Sequence, residues 1–172
     1  MKRFKALILL SILMLFLLPF SPHMAVHYPL SPITHHPSPF LYMFAHANVF
    51  HLLINTWSLL VLHRYATRTS LIMAYVCAVL IAFIPPISLF SYLAPTYLAP
   101  RQGLLGFSVI VCFLLGTVPR RSVGRLFMAM LPFLLGFLVP GMAALHHILM
   151  LLAGFLYAHV LSLVRSYRSL FP

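Results

Sequence analysis

Long apolar runs separated by short polar segments dominate the chain, and their pattern predicts helices rather than strands. The runs cover six segments, residues 4–20, 49–64, 71–90, 106–118, 126–139 and 143–164. Each is bounded by Pro, Gly, Arg or Ser, and none alternates apolar and polar residues with the period of two that is typical of a half-buried strand. The pattern therefore predicts an all-α chain, a single domain over residues 1–172, in which six helices pack as one bundle.

Composition indicates what surrounds these helices. Of the 172 residues, 63% are hydrophobic and 6% are charged, whereas a soluble domain carries about 25% charged residues. Such a chain has too few polar residues to cover an apolar core, so lipid must be the solvent for most of it. We therefore expect a polytopic membrane protein, with six transmembrane helices in contact with the lipid bilayer.

The chain contains 11 Lys and Arg residues but no Asp or Glu. This excludes, within the chain, a Ser-His-Asp triad, a two-carboxylate glycosidase site and a Mg²⁺ or Ca²⁺ site built from carboxylates. The remaining chemistry belongs to Ser, His, Asn, Tyr, Cys and Arg. We expect no cofactor and no metal site, because the His-rich loop over residues 21–39 has neither carboxylates nor thiols to complete one.

The basic residues form small clusters between the apolar runs. With six spans, ten of the 11 lie on the side of the N-terminus, and only Arg101 lies on the other side. The positive-inside rule then places both termini in the cytoplasm, as expected for a multi-pass protein of the plasma (inner) membrane if the source is bacterial. The same clustering argues against a nucleic-acid partner.

Several polar side chains fall inside or next to the apolar runs, where polar groups are costly and often functional. His51 and Asn55 are four residues apart and share one helix face in the second run. Ser108 lies near the start of the fourth run, and His147 lies near the start of the sixth. The predicted topology places these four residues at similar depth on the external side, and His46 lies just before the second run.

The spacing of these residues resembles that of the rhomboid intramembrane serine proteases. The family element H-x-x-x-x-H-x-x-x-N matches His46, His51 and Asn55. The family element G-x-S-G matches three of four positions at residues 106–109, and a Leu-Leu-Gly follows at the family offset. His147 precedes an Ala-Gly pair, as the catalytic His of the family does.

The resemblance implies a serine endopeptidase that cleaves transmembrane segments of membrane proteins through a Ser-His dyad. Ser108 would be the nucleophile and His147 its general base. His51 and Asn55, with the backbone N–H of Ser108, would form the oxyanion hole. His46 would support this region, and the partners would be transmembrane protein substrates.

Three departures from the family pattern leave another interpretation open. Val109 replaces the second glycine of G-x-S-G, and Leu149 and Met150 replace glycines that usually follow the catalytic His. Bulk at these positions would separate the fourth and sixth spans and leave a catalytically inactive rhomboid-like protein that binds membrane proteins. A di-haem cytochrome with paired histidines and a small carrier or assembly factor are further alternatives.

Overall fold

The computed structural model describes residues 2–24, 26–27, 39–84, 103–104, 106–119, 124, 127 and 144–169. The helices in these ranges are α1 (Lys2–Leu17), α2 (Ser21–Met24), α3 (Val49–Val61), α4 (Arg68–Ile81), α5 (Ser108–Gly116) and α6 (Ala144–Arg168). Two short 3-10 helices cover Leu18–Phe20 and Tyr42–Phe44. Strands β1 (Val26–His27) and β2 (Gly103–Leu104) form a two-residue antiparallel pair in which Val26 lies opposite Leu104.

The prediction of six membrane-spanning helices is wrong. Among the described residues, only Leu145–Tyr167, within α6, is both long and apolar enough to cross a membrane. Helices α1, α3 and α4 have 16, 13 and 14 residues, so each is only about 20–24 Å long against a hydrocarbon layer of about 30 Å. The predicted run 126–139 lies outside the described residues except for Phe127.

Local hydrogen bonds fix where two of these helices begin. At the start of α3, the side chain of Asn48 accepts a hydrogen bond from the backbone N–H of His51 (2.8 Å). At the start of α4, Thr67 and Ser70 form a reciprocal capping box. Helix α3 ends at Val61 and is followed by a turn over residues 62–65, so the last three residues of the run 49–64 lie in the turn and not in the helix.

Helix α5 lies at the centre of the bundle. All eight residues from Ser108 to Leu115 are buried, which is the pattern of a helix covered on every side. Its neighbours include α3, α4 and α6. The core around it contains the largest fully buried side chains of the described chain, among them Tyr42, Phe113, Leu59 and Met150.

Two glycines allow α5 and α6 to touch through their backbones. A Cβ added to Gly154 of α6 would collide with the carbonyl oxygen of Phe113 in α5. A Cβ added to Gly116 of α5 would collide with the carbonyl oxygen of Leu151 and lie 2.7 Å from the backbone nitrogen of Phe155. The two helices therefore cross at a distance that only glycine permits.

The outer faces of the helices are apolar. Leu9 and Phe16 on α1 are 68% and 72% exposed, Phe50 on α3 is 71% exposed, and Leu80 on α4 is 64% exposed. Large exposed apolar side chains also occur along α6, for example Phe155. A monomer in water rarely presents apolar patches of this extent, so the exterior requires an apolar environment or a partner.

We predict that Gly154→Ala destabilises the protein, because the new methyl group must push the two helix backbones apart. Overpacking of this kind costs roughly 1–3 kcal/mol, and more where backbone atoms are the obstacle. The measurement is the thermal unfolding temperature of the purified protein in detergent. Gly124→Ala is the matched control, because a Cβ there would meet no atom within 4 Å. Equal unfolding temperatures for the two variants would show that the crossing is not tight.

Candidate active site

Ser108 and His147 lie in hydrogen-bond contact. The Oγ atom of Ser108, the first residue of α5, is 2.8 Å from Nε2 of His147 in the first turn of α6. Both side chains are buried. When the hydroxyl donates, Nε2 is the acceptor, and the neutral imidazole carries its proton on Nδ1. This places a serine hydroxyl against a nitrogen that can take its proton.

The glycine crossing explains how two residues 39 positions apart meet. Ser108 precedes Gly116 by eight residues, and His147 precedes Gly154 by seven. Each polar residue thus lies about two helical turns from the glycine of its own helix. Because the backbones touch at the glycines, the starts of α5 and α6 remain close enough for a direct side-chain contact.

The three bulky departures do not separate the helices. Val109 and Met150 are buried in the core, at 2% and 1% exposure, and Leu149 packs against that core. The Ser108–His147 distance of 2.8 Å is present with all three side chains in place. Their bulk is therefore accommodated within the core and does not wedge α5 from α6.

His51 lies beside the serine because Gly106 leaves room for it. A Cβ on Gly106 would be 2.7 Å from Cε1 and 2.9 Å from Nε2 of His51, and 3.6 Å from Oγ of Ser108. Gly106 also has a φ of +111°, which a side-chain-bearing residue rarely adopts. The backbone N–H of Gly106 donates to the carbonyl of Tyr42 (3.1 Å). This turn brings the His51 ring and the Ser108 hydroxyl to the same place.

One hydrogen bond indicates which nitrogen of His51 carries the proton. The backbone N–H of Ala47 donates to Nδ1 of His51 at 3.4 Å. In the neutral ring, an accepting Nδ1 leaves the proton on Nε2, the nitrogen that faces Gly106. His51 therefore presents an N–H donor on the side of the serine.

Asn55 is buried without a hydrogen-bond partner. It lies one turn after His51 on α3 and is only 1% exposed. Among the described residues, neither its Oδ1 nor its Nδ2 has a partner. An unpaired buried amide is uncommon, because it loses its bonds to water without replacement, at a cost of about 1–3 kcal/mol. This cost needs an explanation other than stability.

His46 is the support behind His51. Its backbone N–H donates to Oγ of Ser21 (2.9 Å), and its Nδ1 lies 3.1 Å from the carbonyl of Phe44. Its ring meets the His51 ring edge-on, with centroids 5.2 Å apart. Because a carbonyl only accepts, Nδ1 must donate, which leaves the unpartnered, buried Nε2 as a free acceptor. Ser21 therefore holds the backbone of His46 in place, and the His46 ring in turn packs against the His51 ring.

Sequence reasoning missed the role of His146. Its side chain is fully buried, and its Nε2 lies 2.9 Å from the carbonyl of Ile84, just beyond α4. Carbonyls at a helix end have no partner within the helix, so the imidazole supplies the missing donor and ties α6 to α4. The adjacent residue His147 consequently turns towards α5. The His-His pair was visible in the sequence, but nothing local indicated that its members face different helices.

Tyr42 is the second residue that the sequence did not single out. It is fully buried, its hydroxyl donates to the carbonyl of Ala78 in α4 (2.8 Å), and its own carbonyl accepts from Gly106. Tyr42 therefore connects α4 to the turn before Ser108. The contact spans 36 residues in sequence, so only the fold brings it about.

No group of three or more His, Cys, Asp or Glu residues that could hold a metal ion occurs in the described part of the chain. The predicted site residues are engaged with one another or with the backbone instead, except for Asn55. His35 and His36 of the His-rich loop lie outside the described ranges.

We predict that the protein becomes less stable as the pH falls below 6.5, because of His46. Burial, and then the neighbouring His51, lower its pKa from 6.5 to about 4. A lowered pKa means that the fold favours the neutral ring, so this contribution is complete above pH 6.5 and is lost as the pH falls towards 4. The loss should approach about 3 kcal/mol. Thermal unfolding measured across this range should show a shallower decline for His46→Gln than for the wild type. A wild-type slope in His46→Gln would contradict the assignment.

The sequence matches no model of a known protein family and, at a significant level, no curated protein. The function of the chain must therefore be inferred from the geometry of these residues.

Proposed function

We propose that the protein is a membrane-embedded serine endopeptidase that cleaves transmembrane segments of membrane proteins. The observation that carries the proposal is the 2.8 Å contact between Ser108 Oγ and His147 Nε2. A serine hydroxyl becomes a useful nucleophile when an adjacent base accepts its proton during attack. The resemblance of the site to that of rhomboid proteases supports the same assignment, with Ser108 and His147 as the catalytic pair.

In the proposed reaction, Ser108 Oγ attacks the carbonyl carbon of a substrate peptide bond while His147 Nε2 takes the hydroxyl proton. The tetrahedral intermediate collapses as the C–N bond breaks, and His147 returns the proton to the leaving amine. Water then attacks the acyl-enzyme and gives a proton to His147. As the bond between the acyl carbon and Ser108 Oγ breaks, His147 returns that proton to Oγ and the new carboxyl end is released. Because the chain has no carboxylate side chain, the pair acts as a dyad without an acidic third member of its own.

The oxyanion of the intermediate would be stabilised by three donors. Nε2–H of His51 faces Gly106 and the serine, the amide of Asn55 has no other partner, and the backbone N–H of Ser108 belongs to the unpaired first turn of α5. An amide that is held unpaired in the free protein can bind the developing charge without first breaking another bond. This role would explain why the Asn55 amide is buried without a hydrogen-bond partner among the described residues, despite the free-energy cost.

The surroundings of the site support a membrane location. The site lies in a bundle whose outer faces present large apolar side chains. Among the described residues, the 23-residue segment Leu145–Tyr167 of α6 has the length and composition of a transmembrane segment. A lipid environment would satisfy both features. In that location, the substrate would reach the site from within the bilayer.

The catalytically inactive rhomboid-like protein is the second candidate. It is favoured by the departures at Val109, Leu149 and Met150, and opposed by the intact contact between Ser108 and His147. Such a protein would bind transmembrane partners without cutting them, so a cleavage assay distinguishes the two functions.

The decisive variant is Ser108→Ala, which should abolish cleavage of a transmembrane substrate reconstituted with the protein in vesicles. Ser169→Ala is the matched control, since that serine is exposed and its hydroxyl donates only locally, to the carbonyl of Ser166 (2.7 Å). The control should keep wild-type activity. Cleavage at the wild-type rate by Ser108→Ala would exclude Ser108 as the nucleophile, and no cleavage by wild type would favour the inactive relative.

A second prediction separates catalysis from stability at the two asparagines. Asn55→Ala should lower the cleavage rate by about 10²–10³-fold, the usual cost of one oxyanion donor, while the unfolding temperature does not fall. Asn48→Ala should lower the unfolding temperature, because it removes the cap of α3, which is worth about 1 kcal/mol. If Asn55→Ala destabilises the protein and cleaves normally, its side chain is structural and the proposed oxyanion hole is wrong.

A further inference from the structure

Three exposed cations lie at the end of the bundle where α1 begins and α3 ends. The ring of Phe4 in α1 contacts the ring of His63 just after α3, edge-on, with centroids 5.7 Å apart. Lys5 and Arg64 are the next residues in each segment, and both are exposed. The ring contact therefore places the residues that carry these two charges at the same end of the bundle.

Arg68 joins them across a tight turn. The backbone N–H of Tyr65 donates to the carbonyl of Leu62 (2.8 Å), and that of Thr67 donates to the carbonyl of Tyr65 (2.8 Å). The hydroxyl of Ser70 donates to the same Tyr65 carbonyl (2.7 Å). These bonds fix the chain between Arg64 and Arg68, so the two exposed guanidinium groups flank one rigid turn.

No side chain of this protein can neutralise these charges. The sequence contains no Asp or Glu, so Lys5, Arg64 and Arg68 have no acidic side chain with which to pair. Like charges held together repel one another, and the repulsion is relieved when an anion binds. The anion must therefore come from outside the chain, and arginine forks favour phosphate oxygens.

The apolar surface next to the cations identifies the kind of anion. Leu9 lies one turn after Lys5 on α1 and is 68% exposed, and Trp57 on α3 is 52% exposed. An anion that carries acyl chains would contact this surface as well as the charges, whereas a free phosphate would contact the charges alone. We propose that Lys5, Arg64 and Arg68 form a binding site, the basic corner, for an anionic phospholipid.

The basic corner is separate from the candidate active site. Helix α3 has 13 residues, with His51 in its first turn and Arg64 just beyond its last, so about 20 Å of helix separate the two. Lipid binding at the corner can therefore be measured without any proteolytic activity, and its failure would leave the proposed protease function untouched.

The test uses Trp57, the single tryptophan of the chain, which precedes Arg64 by about two helical turns. The protein is reconstituted in vesicles of phosphatidylcholine and phosphatidylglycerol, with brominated acyl chains on one lipid or the other at equal total bromine. Bromine quenches tryptophan fluorescence on contact. Brominated phosphatidylglycerol should quench Trp57 about twofold more than brominated phosphatidylcholine, because anionic lipid is enriched beside the corner.

In the double variant Arg64→Gln, Arg68→Gln, the two lipids should quench Trp57 equally. The control is the double variant Arg165→Gln, Arg168→Gln, which removes the same charge from α6 and should keep the difference in quenching. Substitutions of exposed residues such as Arg64, Arg68 and Arg165 rarely perturb folding. Equal quenching in the wild type, or an equal loss in both double variants, would overturn the proposal. Loss of the difference on adding inorganic phosphate at constant ionic strength would show a site for free phosphate, and this too would contradict a lipid site.

Discussion

Backbone contact between α5 and α6 is the constraint on which the rest of the site depends. Gly154 places α6 against the carbonyl of Phe113, and Gly116 places α5 against the carbonyl of Leu151. About two turns from these glycines, the close approach of the helices allows the 2.8 Å contact between Ser108 and His147. His146 and Tyr42 add the second constraint, since each ties a segment of the site to α4 by one hydrogen bond. The geometry of Ser108 and His147 is therefore a property of helix packing.

A chain without acidic side chains must also manage its polar groups in an unusual way. At the site, histidines are oriented by backbone groups and a serine where other proteins use carboxylates, as the bonds of His46 and His51 illustrate. Asn55 remains unpaired in the core, which makes sense if its amide is held for a substrate. At the basic corner, the same lack of acids leaves the cations to an external anion. One feature of composition thus accounts for both places.

The sequence predicted the positions of several helices, because apolar runs at 49–64, 106–118 and 143–164 contain α3, α5 and most of α6. It predicted too many membrane crossings. An apolar run also includes residues in turns, such as those between α3 and α4, so a run can be longer than the helix within it. The approach of Ser108 to His147 followed from the family resemblance, and the glycines that produce it were visible. The tie from His146 to Ile84 could not be predicted, because it joins residues 62 positions apart and depends on how α6 is rotated.

The central claim is that packing makes Ser108 a nucleophile through His147, and the rate at which a fluorophosphonate labels Ser108 tests it most directly. The reagent reports the reactivity of the hydroxyl without requiring a known substrate. In the folded wild-type protein Ser108 should be labelled, and His147→Ala should react roughly 10²–10⁴-fold more slowly, the usual contribution of a general base, with its unfolding temperature preserved. Labelling of Ser108 at equal rates in the two proteins would contradict the account.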